Sequence, residues 1–113
     1  MREIKVGRDG VVPILDTKKL YIMEVYFRDV YNGNLRLEPN YYVCITDNDG
    51  IARFVKNSII NTDSGFVSGS IQQCVKKALV ESHSHYSSKV YEFNNVQEFE
   101  KEKNVKLCVG IKN

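Results

Sequence analysis

The chain has 113 residues, of which 42% are hydrophobic and 27% charged, and its formal net charge is +2. These values are typical of one soluble globular domain over residues 1–113, and they exclude a multidomain enzyme, a disordered chain and a fibrous repeat. The nearly balanced charge argues against general nucleic-acid binding. No apolar run reaches the length of a membrane span, and the first residues lack the apolar core of a signal peptide, which predicts a cytoplasmic protein.

The three cysteines, Cys44, Cys74 and Cys108, are widely spaced and have apolar neighbours. They match neither a disulfide framework nor the paired spacing of a zinc site, so we expect free thiols, no structural metal and no cofactor. The chain is rich in Ile, Lys and Asn, whose codons are rich in A and T. This composition is typical of an AT-rich bacterium or its phage, and a phage protein of this kind would reside in the host cytoplasm.

The first half of the chain predicts an antiparallel meander. A long β-branched and aromatic segment from Leu20 to Tyr31 is closed by Asn32-Gly33, a strong hairpin signal. Pro39 interrupts the chain after the return, and a polar Asp/Asn/Gly turn separates the two strands that follow. The strands expected here cover residues 3–6, 11–15, 20–31, 35–38, 41–46 and 51–56.

The second half predicts one main helix and one short helix. Apolar residues at three-and-four spacing, preceded by a capping box of Ser70 and Gln73, predict an amphipathic helix over residues 71–82. Asn95 and Glu98 are expected to cap a helix over residues 95–102. Strands are expected at residues 88–93 and, from clean alternation, at 105–111. The predicted fold is therefore α+β, with a mainly antiparallel sheet of about five or six strands.

The predicted strands carry apolar residues in both alternating rows. Adjacent Tyr41 and Tyr42, for example, must point to opposite sides of a sheet because successive side chains alternate. One amphipathic helix covers one face only, so the second face must be covered by the short helix and the N-terminal segment, by a second copy of the chain, or by a ligand. Tyr26 and Tyr42 are the residues expected at an interface in a homo-oligomer or with a protein partner.

A small polar loop with two glycines leads directly into the main helix and is the most informative candidate site. The first turn of a helix has backbone N–H groups without internal partners and a positive dipole, and glycine allows a phosphate to approach the backbone. The loop matches neither a P-loop nor a dinucleotide fingerprint, and a simple helix cap formed by Ser70 is the more common role of such a loop. The residues predicted to bind a phosphorylated ligand are Thr62, Ser64, Gly65, Ser68, Gly69, Ser70 and Arg53.

His83 and His85 have the spacing that lets two imidazoles on an extended segment face the same way, as in some metal and phosphoesterase sites. The sequence shows no third ligand for them, so solvated loop histidines are the favoured interpretation. Because no activated nucleophile with an oriented base can be recognised, we predict no catalytic residues and no enzyme activity.

Three functional hypotheses follow. The first is a non-catalytic binding protein for a small phosphorylated ligand such as a nucleotide, which a phage or bacterial accessory protein would sequester. The second is a protein-interaction module or small inhibitor that acts through a sheet face or an edge strand and needs no small-molecule ligand. The third and weakest is a metal-dependent phosphoesterase built around His83 and His85.

Overall fold

The computed structural model describes residues 1–58, 69–80 and 86–109. They form a five-stranded sheet with strand order β1-β5-β2-β3-β4, in which every neighbouring pair is antiparallel, and two helices. This arrangement confirms the predicted α+β class. The elements in chain order are β1 (Arg2–Ile4), β2 (Leu20–Phe27), β3 (Asn40–Thr46), β4 (Ala52–Lys56), α1 (Ile71–Val80), β5 (Tyr86–Phe93) and α2 (Val96–Lys103).

Both predicted helix starts are confirmed in their capping geometry. The Ser70 backbone N–H donates to Gln73 Oε1 at 2.9 Å, and the Gln73 N–H donates to Ser70 Oγ at 3.1 Å, as in a capping box. At α2 the Glu98 N–H donates to Asn95 Oδ1 at 2.8 Å. The helix predicted over residues 71–82 is present as Ile71–Val80, and residues 81–85 lie outside the described part.

One face of the sheet packs against α1. Alternate residues of β2, such as Tyr21, Met23 and Val25, join buried side chains of α1 and β4 in one apolar cluster. The N-terminal segment, residues 5–19, adds Val12 to the same cluster. Gln72 on α1 holds this segment, since its Nε2 donates to the carbonyls of Val12 and Pro13 and its Oε1 accepts from the Leu15 N–H. The strand predicted at residues 11–15 is therefore wrong. The backbone of this segment forms hydrogen bonds with the side-chain amide of Gln72 and not with a neighbouring strand.

The other face packs against α2 and the tail, residues 105–109. Ile22, Val43 and Phe93 form its buried core with Phe99 of α2, and Val105, Leu107 and Val109 pack against them. The short helix and the tail thus cover the second face, whereas the N-terminal segment lies on the first. Self-coverage, one of the three alternatives posed by the sequence, is the arrangement that the structure shows.

The prediction of a strand over residues 105–111 is wrong for the described residues 105–109, which are in no strand. Asn57 bonds this part of the tail instead, because its Nδ2 donates to the Lys106 carbonyl at 3.0 Å and its Oδ1 accepts from the Cys108 N–H at 2.7 Å. Glu100 Oε2 accepts from the Leu107 N–H at 2.9 Å. The alternate residues of the tail are buried because the tail lies over the sheet, although its backbone does not pair with any strand. Residues 110–113 lie outside the described part.

Between β2 and β3 the chain forms an arm, defined here as residues 28–39. β2 ends at Phe27, and only an isolated bridge between Arg28 and Leu35 continues the pairing. Between that bridge and the Val25–Asn40 pair, β2 contributes two residues and the return contributes four. The return strand predicted at residues 35–38 is therefore replaced by a bulged segment, since the extra residues and Pro39 break the ladder.

Candidate functional site

The corner at the start of α1 is occupied by the chain's own atoms. The Ala52 N–H donates to the Gly69 carbonyl at 2.8 Å, and the Gly69 N–H lies 3.4 Å from the Ala52 carbonyl oxygen. Ser70 and Gln73 satisfy each other in the capping box, and a Cβ added at Gly69 would lie 2.3 Å from Gln73 Oε1. The N–H groups of Gly69, Ser70 and Gln73 therefore already have acceptors, which is the geometry of a helix cap.

Arg53, the one other predicted ligand residue that the structure describes, does not join Gly69 and Ser70 at this corner. Arg53 is paired with Ile45, which belongs to the cluster beneath α2, so its side chain projects from the face opposite to α1. Thr62, Ser64, Gly65 and Ser68 lie outside the described residues, as do His83 and His85. Binding of a phosphorylated ligand stays a prediction, without added support from the described geometry.

The two tyrosines expected at an interface contact the chain itself. Tyr42 packs against the cluster beneath α1, half-buried. Tyr26 lies on the other face, where its hydroxyl hydrogen-bonds Glu24, and burial together with the Glu24 charge raises its pKa. At these two positions neither face of the sheet is an open apolar surface. Tyr42 lies on the face that packs against α1, and Tyr26 lies on the face that packs against α2 and the tail.

Glu24 is the centre of a buried polar cluster that the sequence analysis missed. It is 5% exposed and lies directly opposite Tyr41 in β3. Lys103 Nζ at the end of α2 lies 3.1 Å from Glu24 Oε2 and 4.1 Å from the centroid of the Tyr91 ring. Burial, followed by the negative charge of Glu24, raises the pKa of Tyr41 to about 12. The Tyr41 hydroxyl therefore stays protonated and donates to the carboxylate.

This cluster fastens α2 to the sheet. The carboxylate of Glu24 accepts from Tyr26 and Tyr41 and pairs with the Lys103 ammonium, so the charges are balanced and hydrogen-bonded. A carboxylate satisfied in this way is a structural anchor between β2 and α2. The signal for it was present in the sequence, since Glu24 interrupts an otherwise apolar strand and a buried charge requires a partner.

The cysteines have the environment of core residues. Cys74 is buried and its Sγ donates to the Ala52 carbonyl at 3.0 Å. Burial raises the pKa of Cys44 to about 12 and also raises that of Cys74. Both thiols therefore remain protonated and are poor nucleophiles at neutral pH. Within the described ranges, no group of three His, Cys, Asp or Glu side chains is arranged to hold a metal ion.

The arm carries three of the four most exposed large apolar side chains that the structure describes. Val30 is 85% exposed, Tyr31 96% and Leu37 95%. Ile14, in the N-terminal segment, is the one other described large apolar residue above 90%. Single exposed apolar residues are ordinary, but three of this size within twelve consecutive residues make the arm the candidate interaction surface.

The tip of the arm is ordered by bonds that its own sequence supplies. The Asp29 N–H donates to the Asn34 carbonyl at 2.7 Å, and the Gly33 N–H donates to the Asp29 carbonyl at 2.9 Å. Asp29 Oδ1 accepts from the Tyr31 N–H at 2.8 Å, and Asn32 Oδ1 accepts from the Asn34 N–H at 2.9 Å. Asx bonds of this type are why Asp and Asn favour turns. Gly33 has φ +72°, which favours glycine there.

A groove of about 650 Å³ lies along the arm. Leu37 and Pro39 give it an apolar wall. Acidic, basic and amide side chains line the rest of the groove. Its described lining residues are Asp29, Arg36, Leu37, Glu38, Pro39 and Asn40. The arm thus presents an apolar tip and, together with Asn40 at the start of β3, a mixed groove.

Comparison with known family models, with curated proteins and with solved structures gives no match. No helix in the described part of the chain is long and apolar enough to cross a bilayer.

Proposed function

We propose that this chain is a non-catalytic protein-interaction module that binds through the arm. The observation that carries the proposal is the exposure of Val30, Tyr31 and Leu37 on an ordered hairpin. This differs from the sheet-face or edge-strand surface expected from the sequence, because both faces pack against the chain's own helices. Tyrosine is also one of the residue types enriched in the buried centre of interfaces.

The internal bonds of the arm support binding without large rearrangement. Association loses free energy wherever loops and side chains must be ordered at the interface. The tip is already held by Asp29 and Asn32, and Arg28 Nη1 donates to the Gly33 carbonyl at 2.6 Å. Tyr31 has only two side-chain torsions to fix, so it supplies a large contact area at low entropic cost. An ordered, protruding tip is well suited to enter a recess on another protein surface.

The base of the arm rests on the folded core. Phe27 and Tyr86 pack edge to face with centroids 6.0 Å apart where β2 ends, and the Arg36 N–H donates to the Phe27 carbonyl at 2.7 Å. The arm is therefore a continuation of two central strands. This attachment gives the tip a defined position relative to the sheet, which a binding element requires.

A photo-crosslinking experiment tests the proposal. We expect chains carrying Tyr31→p-benzoylphenylalanine or Leu37→p-benzoylphenylalanine to give a discrete crosslinked protein product in cells of the source organism. Excess wild-type chain should suppress this product, whereas excess Leu37→Asp chain should not. The same photoreactive residue at Ile14, which is 93% exposed, is the matched control and should give no such product. The proposal fails if the arm positions give no product or the same products as Ile14.

A further inference from the structure

We propose that the Asn32–Gly33 peptide at the tip of the arm is a site of spontaneous covalent modification, at which Asn32 is converted to an aspartyl or isoaspartyl residue. This inference goes beyond the proposed function, and the modification itself needs no partner. It starts from the one place in the chain where an asparagine directly precedes a glycine. Both residues are exposed, so water reaches the group that reacts.

The reaction is a cyclisation followed by hydrolysis. The Gly33 backbone nitrogen attacks Cγ of Asn32 and forms a bond to it, while the side-chain amide leaves as ammonia with the proton that the Gly33 nitrogen loses. Water then opens the resulting succinimide ring. Opening at Cγ gives an aspartyl residue, whereas opening at the main-chain carbonyl gives an isoaspartyl residue, in which the backbone runs through the side chain. In total one water is consumed, one ammonia is released and one carboxyl group is gained.

Three features of the turn favour this attack. A Cβ built on Gly33 would meet nothing within 4 Å, so neither a side chain of its own nor a neighbour obstructs the nitrogen. The Asn34 N–H donates to Asn32 Oδ1 at 2.9 Å, and this oxygen carries the negative charge when Cγ becomes tetrahedral. Arg28 Nη1 donates to the Gly33 carbonyl at 2.6 Å, which places a positive charge at the residue whose nitrogen is deprotonated.

One hydrogen bond of the turn must open before the attack. The Gly33 N–H donates to the Asp29 carbonyl at 2.9 Å, so the attacking nitrogen is held until this bond breaks. The bond lies at an exposed tip, where local opening costs less free energy than global unfolding. Conversion therefore proceeds from the folded protein, although more slowly than in an unstructured peptide.

Asn57 shows how the fold protects an asparagine from the same reaction. It precedes Ser58, another small residue, but both ends of its side-chain amide are bonded to the tail. Rotation of this side chain toward the next backbone nitrogen would break both bonds. In the described part of the chain the Asn32 amide is bonded through Oδ1 alone, so its side chain is less restrained.

Conversion changes the tip in two ways. It adds a negative charge to an arm whose four charged residues cancel. The isoaspartyl form also adds a methylene group to the backbone inside the turn, so the bonds that join Asp29 to Gly33 and Asn34 no longer fit their spacing. Tyr31 then loses its fixed position. On the proposed function, this loss ends binding through the arm.

Peptide mass spectrometry of the full chain after prolonged incubation at mildly alkaline pH tests the proposal. Tryptic cleavage at the two arginines of the arm gives a peptide of residues 29–36, and the freshly purified chain gives the background. We expect Asn32 to convert at least about tenfold faster than Asn34 and Asn57 in the folded protein. Asn32→Gln should abolish the conversion, because glutamine cyclises far more slowly. Unfolding in urea should speed conversion of Asn57 by breaking its bonds to the tail.

Amide hydrogen exchange supplies the second readout. The Asp29 amide should exchange at least about tenfold faster in the isolated isoaspartyl form than in the fresh chain, because its bond to Asn34 is lost. The proposal is overturned if Asn32 of the folded chain converts no faster than Asn57, or if the isoaspartyl form keeps the protection of Asp29. Neither readout needs a partner. The proposed function fails separately, if the fresh chain gives no crosslinked product through the arm.

Discussion

Replacing Phe99 with alanine is expected to lower the free energy of unfolding by about 4 kcal/mol. Phe99 is fully buried and is the only residue of α2 classed as buried. Its ring packs edge to face on Phe93 and Tyr41, with centroids 5.4 Å and 5.6 Å away. Alanine would remove this contact area and leave a cavity beneath a short helix that makes few other apolar contacts.

Urea denaturation followed by circular dichroism measures this loss. Gln97→Ala is the control, since Gln97 is exposed on the same helix and its replacement should change the unfolding free energy by less than about 0.5 kcal/mol. A loss below about 1 kcal/mol for Phe99→Ala would contradict the assignment of α2 as the cover of the second sheet face.

Replacing Lys103 with alanine is expected to lower the free energy of unfolding by about 3 kcal/mol. The Lys103 ammonium pairs with Glu24, whose side chain is 7% exposed, so its removal leaves a buried carboxylate without its counter-charge. The contact of Lys103 with the Tyr91 ring is lost as well. Lys101→Ala, at an exposed position of the same helix, should have little effect.

A double variant separates the charge pair from packing. In Glu24→Gln/Lys103→Met the buried charge is gone and the aliphatic stem of residue 103 is retained, so this chain should be more stable than the Lys103→Ala chain. A coupling free energy between positions 24 and 103 of at least about 1 kcal/mol is expected from a double-mutant cycle. Additive effects would show that the pair does not fasten α2 to the sheet.

Local signals in the sequence were sufficient for the helix starts. Ser70 with Gln73, and Asn95 with Glu98, act over three residues, so their geometry depends little on the rest of the fold. The Asn32-Gly33 hairpin was predicted for the same reason. Its loop is longer than the dipeptide suggests, because Asp29 and Asn34 close it with a backbone hydrogen bond and so leave Val30 and Tyr31 beyond the ladder.

Patterns that depend on distant partners were harder to interpret. The apolar residues that alternate along residues 105–109 pack against the cluster that contains Phe99 and Val43. A strand would show the same pattern as this tail, which is held by hydrogen bonds to Asn57. The candidate loop before α1 is open to two interpretations for a related reason. Its glycine and serines fit an anion site as well as a cap, and the bonds of Gly69 to Ala52, 17 residues away in the chain, cannot be read from the loop itself.

The candidate interface shows most clearly which features of the fold the sequence does not reveal. Tyr26 and Tyr42 were expected at an interface on the sheet, yet Tyr26 hydrogen-bonds Glu24 and Tyr42 packs against the apolar cluster beneath α1. Tyr31, which belongs to the same sequence pattern, is almost fully exposed. The difference depends on where β2 stops pairing, which is decided by the bulge before Pro39 and not by the residue type.

The most direct test of the account is to shorten the arm. Replacing residues 29–34 with Asn-Gly, a two-residue turn suited to hairpins, removes Val30 and Tyr31 while keeping the Arg28–Leu35 bridge. Nuclear magnetic resonance spectra of the shortened chain should show an unchanged core, and crosslinking should give no partner product. A shortened chain that keeps its core and still associates as the wild type does would contradict the claim that the arm is the interaction surface.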